Sequence, residues 1–284
     1  MIGVLSNVAK KEIYTKKFYN FFNSYIKYND KSMFVFTIDD VDFVNKTVEG
    51  NLITKEGVEN SIVPIPEIIF NLTYHKKRSS RKNVRKLALH PSVIIINEAN
   101  RFRQYMIMEM LSSHTRAKYI LLKHEMYIRE DSAKNRESLF TLNKGSDKQK
   151  FIMSNKPDLL SYDGHPIIFT VYAQRGIEGL WKVLPKPHRP EGIVWSDALN
   201  IKLSLAAIES SDWISHFIPC LGISTVNFVL DKYSNPYVVR LDGLSSKILD
   251  ENDDNITGIE FMKNLYDYTN FLRTKQQGGA NFVG

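Results

Sequence analysis

The sequence predicts an α/β fold, with a parallel, helix-covered sheet in the first half and antiparallel β-structure packed by helices in the second. Three observations lead there. Short apolar runs at 2–5 (IGVL), 33–38 (MFVFTI), 67–70 (EIIF) and 93–96 (VIII) are spaced widely enough for crossover connections. Later runs instead come in pairs around short turns: 167–174 (IIFTVYAQ) with 180–184 (LWKVL), and 225–231 (TVNFVLD) with 236–241 (PYVVRL). Helical periodicity recurs between and after these runs.

Taken in order, Ile2–Leu5 reads as a buried strand. Residues 15–27 place Phe18, Phe21, Phe22 and Tyr25 at i, i+3, i+4 and i+7, an amphipathic helix. Met33–Ile38 is the second strand and Thr47–Thr54 a hairpin-like excursion. Glu67–Phe70 follows the Pro64/Pro66 punctuation, and Val93–Ile96 is the fourth run. In open parallel sheets ligands sit beyond the carboxyl ends of the strands. Asn7, Asn71 and Asn97 fall just past such ends, as cleft residues or as ordinary turn residues. Residues 102–111 form a helix with Phe102, Met106, Ile107, Met110 and Leu111 on its apolar face. Lys123–Asp163 is polar and charge-rich, with a turn at Asn143–Asp147 and no Gly-rich phosphate loop. In the second half, Ala198–Ile208 is a helix with Leu199, Leu203, Ala206 and Ala207 on one face. Residues 261–271 form a terminal helix, and 276–284 read as a frayed tail.

Composition narrows the classes. The chain has 284 residues, 43% hydrophobic and 24% charged, and should bury roughly 75% of its unfolded surface without staples. One cysteine, Cys220, excludes an intrachain disulfide framework and fits a reducing compartment. Its apolar setting marks it as a small hydrophobe, not a nucleophile. Met1–Asn7 lacks a basic n-region and a cleavage site, and no run of about 18 apolar residues exists, so a cytoplasmic protein without a membrane span is expected. The histidines at 75, 90, 114, 124, 165, 188 and 216 lack zinc-ligand spacing. Trp181, Trp195 and Trp213 are expected to fill the second core.

Net charge is +7, and it is concentrated. His75–Lys86 (HKKRSSRKNVRK) contains Lys76, Lys77, Arg78, Arg81, Lys82, Arg85 and Lys86 and no acid. Such a run is a solvated basic loop or an anion-binding surface. No DNA- or RNA-binding module accompanies it, which argues against nucleic acid as the partner.

Several stretches, in one consistent order, resemble the YheC/YheD family of ATP-grasp proteins, described as endospore coat-associated. They are IGVL at 2–5; Phe34–Thr37 followed by DDVD at 39–42; PIPEIIFN at 64–71; Ile96-Asn97 before the Phe102 helix; QRGIEGLWKV at 174–183; and Asn227–Leu241, ending in PYVVRL. The resemblance implies an N-terminal pre-ATP-grasp (Rossmann-like) α/β domain over 1–98. It implies an ATP-grasp-like α+β domain with a reduced nucleotide-covering lobe over 99–275, then a flexible tail over 276–284. It implies ATP and Mg²⁺ as cofactors, and activation of a carboxylate as an acyl phosphate that an amine or thiol attacks.

Carried over residue by residue, the resemblance points to Lys123, Lys144, Gln174 and Arg240 for the nucleotide. It points to Asp242 for the metal, with Asp231 or Asn227 as helpers. The sequence departs from the family at these places. Neither Lys123 nor Lys144 is followed by the Gly/Ser-rich loop. The acidic and basic positions before Gln174 hold Ile168 and Thr170. The metal-binding Glu-x-Asn falls on Arg240-Leu241-Asp242. Arginine offers donors and no lone pair, so it cannot ligate Mg²⁺. Three functions follow as expectations. The first is a degenerate, non-catalytic ATP-grasp-like protein with spore-coat or other protein partners. The second is an active carboxylate–amine ligase with an altered metal site. The third is a module that binds an anionic ligand through 75–86.

Overall fold

The computed structural model describes residues 1–6, 26, 32–75, 77–114, 124–125, 139–144, 147–153, 159–162, 165–184, 196–244 and 255–277. The elements, in chain order, begin with β1 (Ile2–Leu5), β2 (Met33–Phe36), β3 (Val41–Asp42), β4 (Thr47–Ile53), β5 (Val58–Pro64) and β6 (Ile68–Asn71). Next come α1 (Arg78–Ala88), β7 (Ile94–Ile96) and α2 (Gln104–Ser112). Then follow β8 (His124–Glu125), β9 (Leu139–Lys144), β10 (Asp147–Met153), β11 (Ser161–Tyr162) and β12 (His165–Pro166). The chain continues with β13 (Phe169–Arg175), β14 (Trp181–Val183), α3 (Asp197–Ser215), β15 (Ile223–Leu230), β16 (Pro236–Asp242) and α4 (Asn255–Gln277).

β7, β6, β1 and β2 are parallel neighbours, and β4 closes onto β2 antiparallel, carrying β3 and β5. Every residue of β1, β2, β6 and β7 is buried. That is why these strands are continuous apolar runs: a parallel sheet is covered on both faces. One face, with Leu5, Phe34, Phe36, Ile69 and Ile95, packs on Val84 and Leu87 of α1. The other face, with Val4, Val35, Ile68, Phe70 and Ile96, packs on Phe261, Met262, Leu265, Tyr268 and Leu272 of α4. Each of those α4 side chains contributes about 1.5–3 kcal/mol by leaving water. The final helix is therefore a wedge that joins the two halves through one core. Most of the expected helix at 15–27 lies outside the described residues; Ile26 is helical and fully buried.

The second sheet is antiparallel, in the order β14–β13–β15–β16. Its inner face (Phe169, Val171, Ala173, Val226, Phe228, Val238, Leu241) packs on α3 and on Ile107, Met108 and Leu111 of α2. Ser196 caps α3 by accepting from the Leu199 N–H at 3.1 Å. The helix runs seven residues past the Ile208 that the sequence indicates as its end. The Ser210 and Ser211 hydroxyls explain this, bonding back to the Ala206 and Ala207 carbonyls one turn earlier. On α2, Ile107 and Leu111 are buried as expected, but Met106 faces solvent and Met108, outside the expected face, is buried.

Two expectations change. The basic run is not a loop beyond Lys77. Residues 78–88 are helical, since they lack Gly and Pro and bury Ser80, Val84 and Leu87 on one side. The charge-rich middle contains a three-stranded antiparallel sheet, β8–β10–β9, where the sequence showed only a turn. Among the described residues no helix is long and apolar enough to cross a membrane.

Candidate functional site: the outer face of the second sheet

Strand alternation puts Thr170, Tyr172 and Gln174 of β13 on the face opposite α3. The register aligns Thr170 with Asn227 and Asn227 with Arg240; Tyr172 with Thr225 and Thr225 with Asp242. Arg240 and Asp242 therefore share this face with the oxygen-bearing side chains of Thr170, Tyr172, Thr225 and Asn227. The Thr170 hydroxyl donates to Asn227 Oδ1 at 2.8 Å, and both residues are buried.

Asp242 is already engaged. Its Oδ1 accepts from the Phe102 N–H at 3.1 Å and from Gln104 Nε2 at 3.2 Å. Its Oδ2 accepts from Arg240 Nε. The two side chains are only 17% and 14% exposed. Burial pushes the Asp242 carboxyl above its usual range; Arg240, the Phe102 N–H and the charge of Arg101 pull it back. Gln104 also holds the backbone of edge strand β16, donating to the Leu241 carbonyl and accepting from the Leu241 N–H, each at 3.0 Å. Nothing in the local pattern singles out Gln104, because its partner is 137 residues away.

The other expected site residues are distributed as follows. Gln174 donates to the Phe261 carbonyl at 2.9 Å, which commits it to α4 and not to the Arg240 end of the face. Asp231 sits at the β15–β16 turn, six residues along the ladder from Thr225, the partner of Asp242, or about 20 Å. No ion can bridge Asp231 and Asp242. Asp231 is instead a turn organiser: its carboxylate accepts from the N–H groups of Tyr233 and Asn235, the Asn235 side chain and the Tyr237 hydroxyl. Lys144 ends β9, opposite Asp147; Lys76 and Lys123 lie outside the described residues, as does Trp195. Lys77, Arg78, Arg81, Lys82, Arg85 and Lys86 are exposed on or beside α1. Cys220 is half-buried, and burial pushes its thiol above the usual range, which keeps it protonated and unreactive.

Asn71 and Asn97 are not cleft residues. With Asn100 they form a buried clasp in which each amide uses both N–H groups and twice accepts at its oxygen. Asn71 donates to the Asn97 and Glu98 carbonyls and accepts from Thr73 N–H and hydroxyl. Asn100 donates to the Asn71 and Thr73 carbonyls and accepts from Leu244 N–H and Asn97. Gly243 passes so close that a Cβ there would stand 2.5 Å from Asn100 Oδ1.

The Mg²⁺ that the resemblance implies does not fit these residues. Asp242 has both oxygens bonded within the chain, a guanidinium occupies the neighbouring position, and no described group of three or more His, Cys, Asp or Glu side chains could hold an ion.

Burial raises the Asp231 carboxyl, but the four hydrogen bonds outweigh that and hold it below the usual value. Asp231→Ala is expected to destabilise the fold by about 1–3 kcal/mol by orphaning turn N–H groups. In the unmodified protein the Asp231 contribution is present above the unfolded carboxyl value, near 3.8, and is lost as pH falls through the lower folded value. Urea titrations of both proteins at neutral and acidic pH check it: the difference between them must shrink toward acid.

No protein-family model matches the sequence, and no curated protein matches it either. Solved structures do. The D-alanine–D-alanine ligase from Coxiella burnetii superposes with a TM-score of 0.50 at 11% identity, covering 97% of this chain and 98% of that one. The D-alanine–D-alanine ligase from Helicobacter pylori gives 0.49 at 12% identity, covering 92% of this chain and 97% of its own. A putative ATP-grasp superfamily protein from Archaeoglobus fulgidus gives 0.48 at 9%, covering 87% and 82%. The chain has an ATP-grasp-like fold. Identities this low speak to the fold alone.

Proposed function

We propose that this protein is an ATP-grasp-like binding protein in which an Arg–Asp ion pair has replaced the metal site, and that it does not ligate. One observation carries the reading: Asp242 spends its carboxylate on Arg240, Gln104 and the Phe102 N–H. A metal would have to displace three donors and approach a fixed positive charge. Arg240 bonds Asp242 through Nε, and its forked Nη groups suit direct contact with a phosphate or carboxylate. The resemblance to YheC/YheD adds an assembly setting, the spore coat, with protein partners there; that part rests on the resemblance alone.

The test is a coupled ADP-release assay with amino-acid mixtures, paired with calorimetric titration of ATP with and without Mg²⁺. Any nucleotide binding is expected to be indifferent to Mg²⁺, with no ADP released. Mg²⁺-dependent ADP release that Asp242→Asn abolishes would establish the second reading, an active ligase. That reading is favoured by Thr225, opposite Asp242, and by Asn227, opposite Arg240, which place side-chain oxygens on the same face.

A further inference from the structure

A cavity of about 350 Å³ opens at the carboxyl ends of β6 and β7. Three segments build it: Thr73–His75 after β6, Glu98–Arg103 after β7, and Arg81, Val84 and Arg85 from α1. Four guanidinium groups line it, from Arg81, Arg85, Arg101 and Arg103, against one carboxylate, Glu98, so these lining groups carry a net charge of +3. Burial pushes the His75 imidazole below its usual value, against the opposing charge of Asp39. Among the described residues no carboxylate lies within ion-pair distance of Arg81 or Arg85.

Gathering four like charges around one cavity opposes folding, and such a conflict with local rules is expected where a ligand compensates it. Helix α1 shows the selection. Arg81 and Arg85 line the cavity, whereas Lys82 does not, and Lys86 stands over the Phe43 ring at 4.3 Å. Of the basic run, Arg81 and Arg85 line the cavity, whereas Lys77, Arg78, Lys82 and Lys86 do not. Arginine's planar fork matches phosphate and carboxylate oxygens in pairs. Arg101 is braced over the Tyr74 ring at 5.1 Å, which narrows its rotamer freedom. The volume is at the low end for small-molecule sites, and the concave wall built on the buried Thr73 and His75 suits a compact ligand better than a polymer.

We infer that this cavity binds a small organic polyanion bearing two or more phosphate or carboxylate groups, gripped by Arg81, Arg85, Arg101 and Arg103. The site adjoins the Arg240–Asp242 pair, since Phe102, between two of these arginines, gives its N–H to Asp242. It stands whether or not the neighbouring face ligates. Mg²⁺-dependent ADP release would overturn the preceding proposal and leave this one intact.

Calorimetry on the full chain tests it, with pyrophosphate and citrate as probes at a constant ionic strength of about 150 mM. One-to-one binding of at least one probe is expected. Arg81→Gln/Arg85→Gln should weaken it at least about tenfold, the loss of charge-assisted bonds, while Lys82→Gln leaves it unchanged. Preference for pyrophosphate assigns a phosphorylated ligand, and preference for citrate a polycarboxylate. Both arginines are exposed, so the fold should survive; if the double variant does not fold, Arg103→Gln makes the same test. Failure of both probes to bind overturns the inference. So does equal weakening by Lys82→Gln, or a preference for a single-stranded oligonucleotide, either of which would mark a diffuse basic surface.

Discussion

Arg240→Ala is expected to destabilise the protein by about 3 kcal/mol, because it leaves the Asp242 carboxylate largely buried without its cation. The low end of the range for a broken buried pair applies, since both side chains keep some access to water. The pH dependence gives the cause a signature. Burial already raises the Asp242 carboxyl above its unfolded value, and Arg240 is among the groups restraining that rise. Removing Arg240 lets it rise further. For a raised carboxyl, stability is fully present below the unfolded value and declines as pH rises through the folded one. The deficit of Arg240→Ala must therefore shrink on acidification, as that of Asp231→Ala does, but for a different cause: acid here neutralises the carboxylate left unpaired in the variant, whereas at the hairpin it removes the native contribution.

A double variant, Arg240→Leu/Asp242→Asn, separates the pair from its surroundings. Asparagine's oxygen can still accept from Phe102 and Gln104 but carries no charge, so the double change should lose clearly less than the two single changes summed. Urea denaturation of all four proteins reads the coupling. Additivity to within about 0.5 kcal/mol would mean that the pair is not the structural unit described here. It would also weaken the argument that an internal ion pair has taken over the metal position.

Much of the fold was legible because it follows from local pattern. Buried parallel strands announce themselves as IGVL, EIIF and VIII, and the two hairpins of the second half as apolar runs around turns. The helix over 78–88 was hidden because its apolar side is only Val84 and Leu87, and charge dominates the rest. The continuation of α3 past Ile208 runs through Ser210 and Ser211, polar residues whose hydroxyls bond to the preceding turn. At the site, the shared face of Arg240 and Asp242 follows from strand alternation alone. Asp231 was misjudged as a helper because sequence distance along a hairpin does not reveal that the turn lies at the far end of the ladder. Gln104 and Asn100 were out of reach, since each acts on backbone more than 100 residues away.

Asn97→Ala is expected to have the larger effect, about 4–5 kcal/mol, which places it among the exceptional substitutions with a nameable cause. Asn97 is fully buried just past β7, and its oxygen accepts from the N–H groups of both Gly222 and Ile223, at 2.8 and 3.0 Å. Its amide donates to the Ile223 carbonyl at 2.8 Å and to Asn100. Alanine leaves two backbone N–H groups without an acceptor where water does not reach, each a loss of about 1–3 kcal/mol. It must also hold a φ of +59°, which asparagine tolerates and alanine resists by about 1 kcal/mol. Asn97→Gly relieves the backbone and not the hydrogen bonds, so the Gly and Ala variants should differ by only that last increment. Chemical denaturation measures both. A loss under about 1 kcal/mol for Asn97→Ala would show that the clasp does not hold β7 to β15. The expected large loss would instead explain the placing of asparagines at these strand ends. They fasten the parallel sheet to the start of β15, and so fix where the arginine-lined cavity stands relative to Asp242.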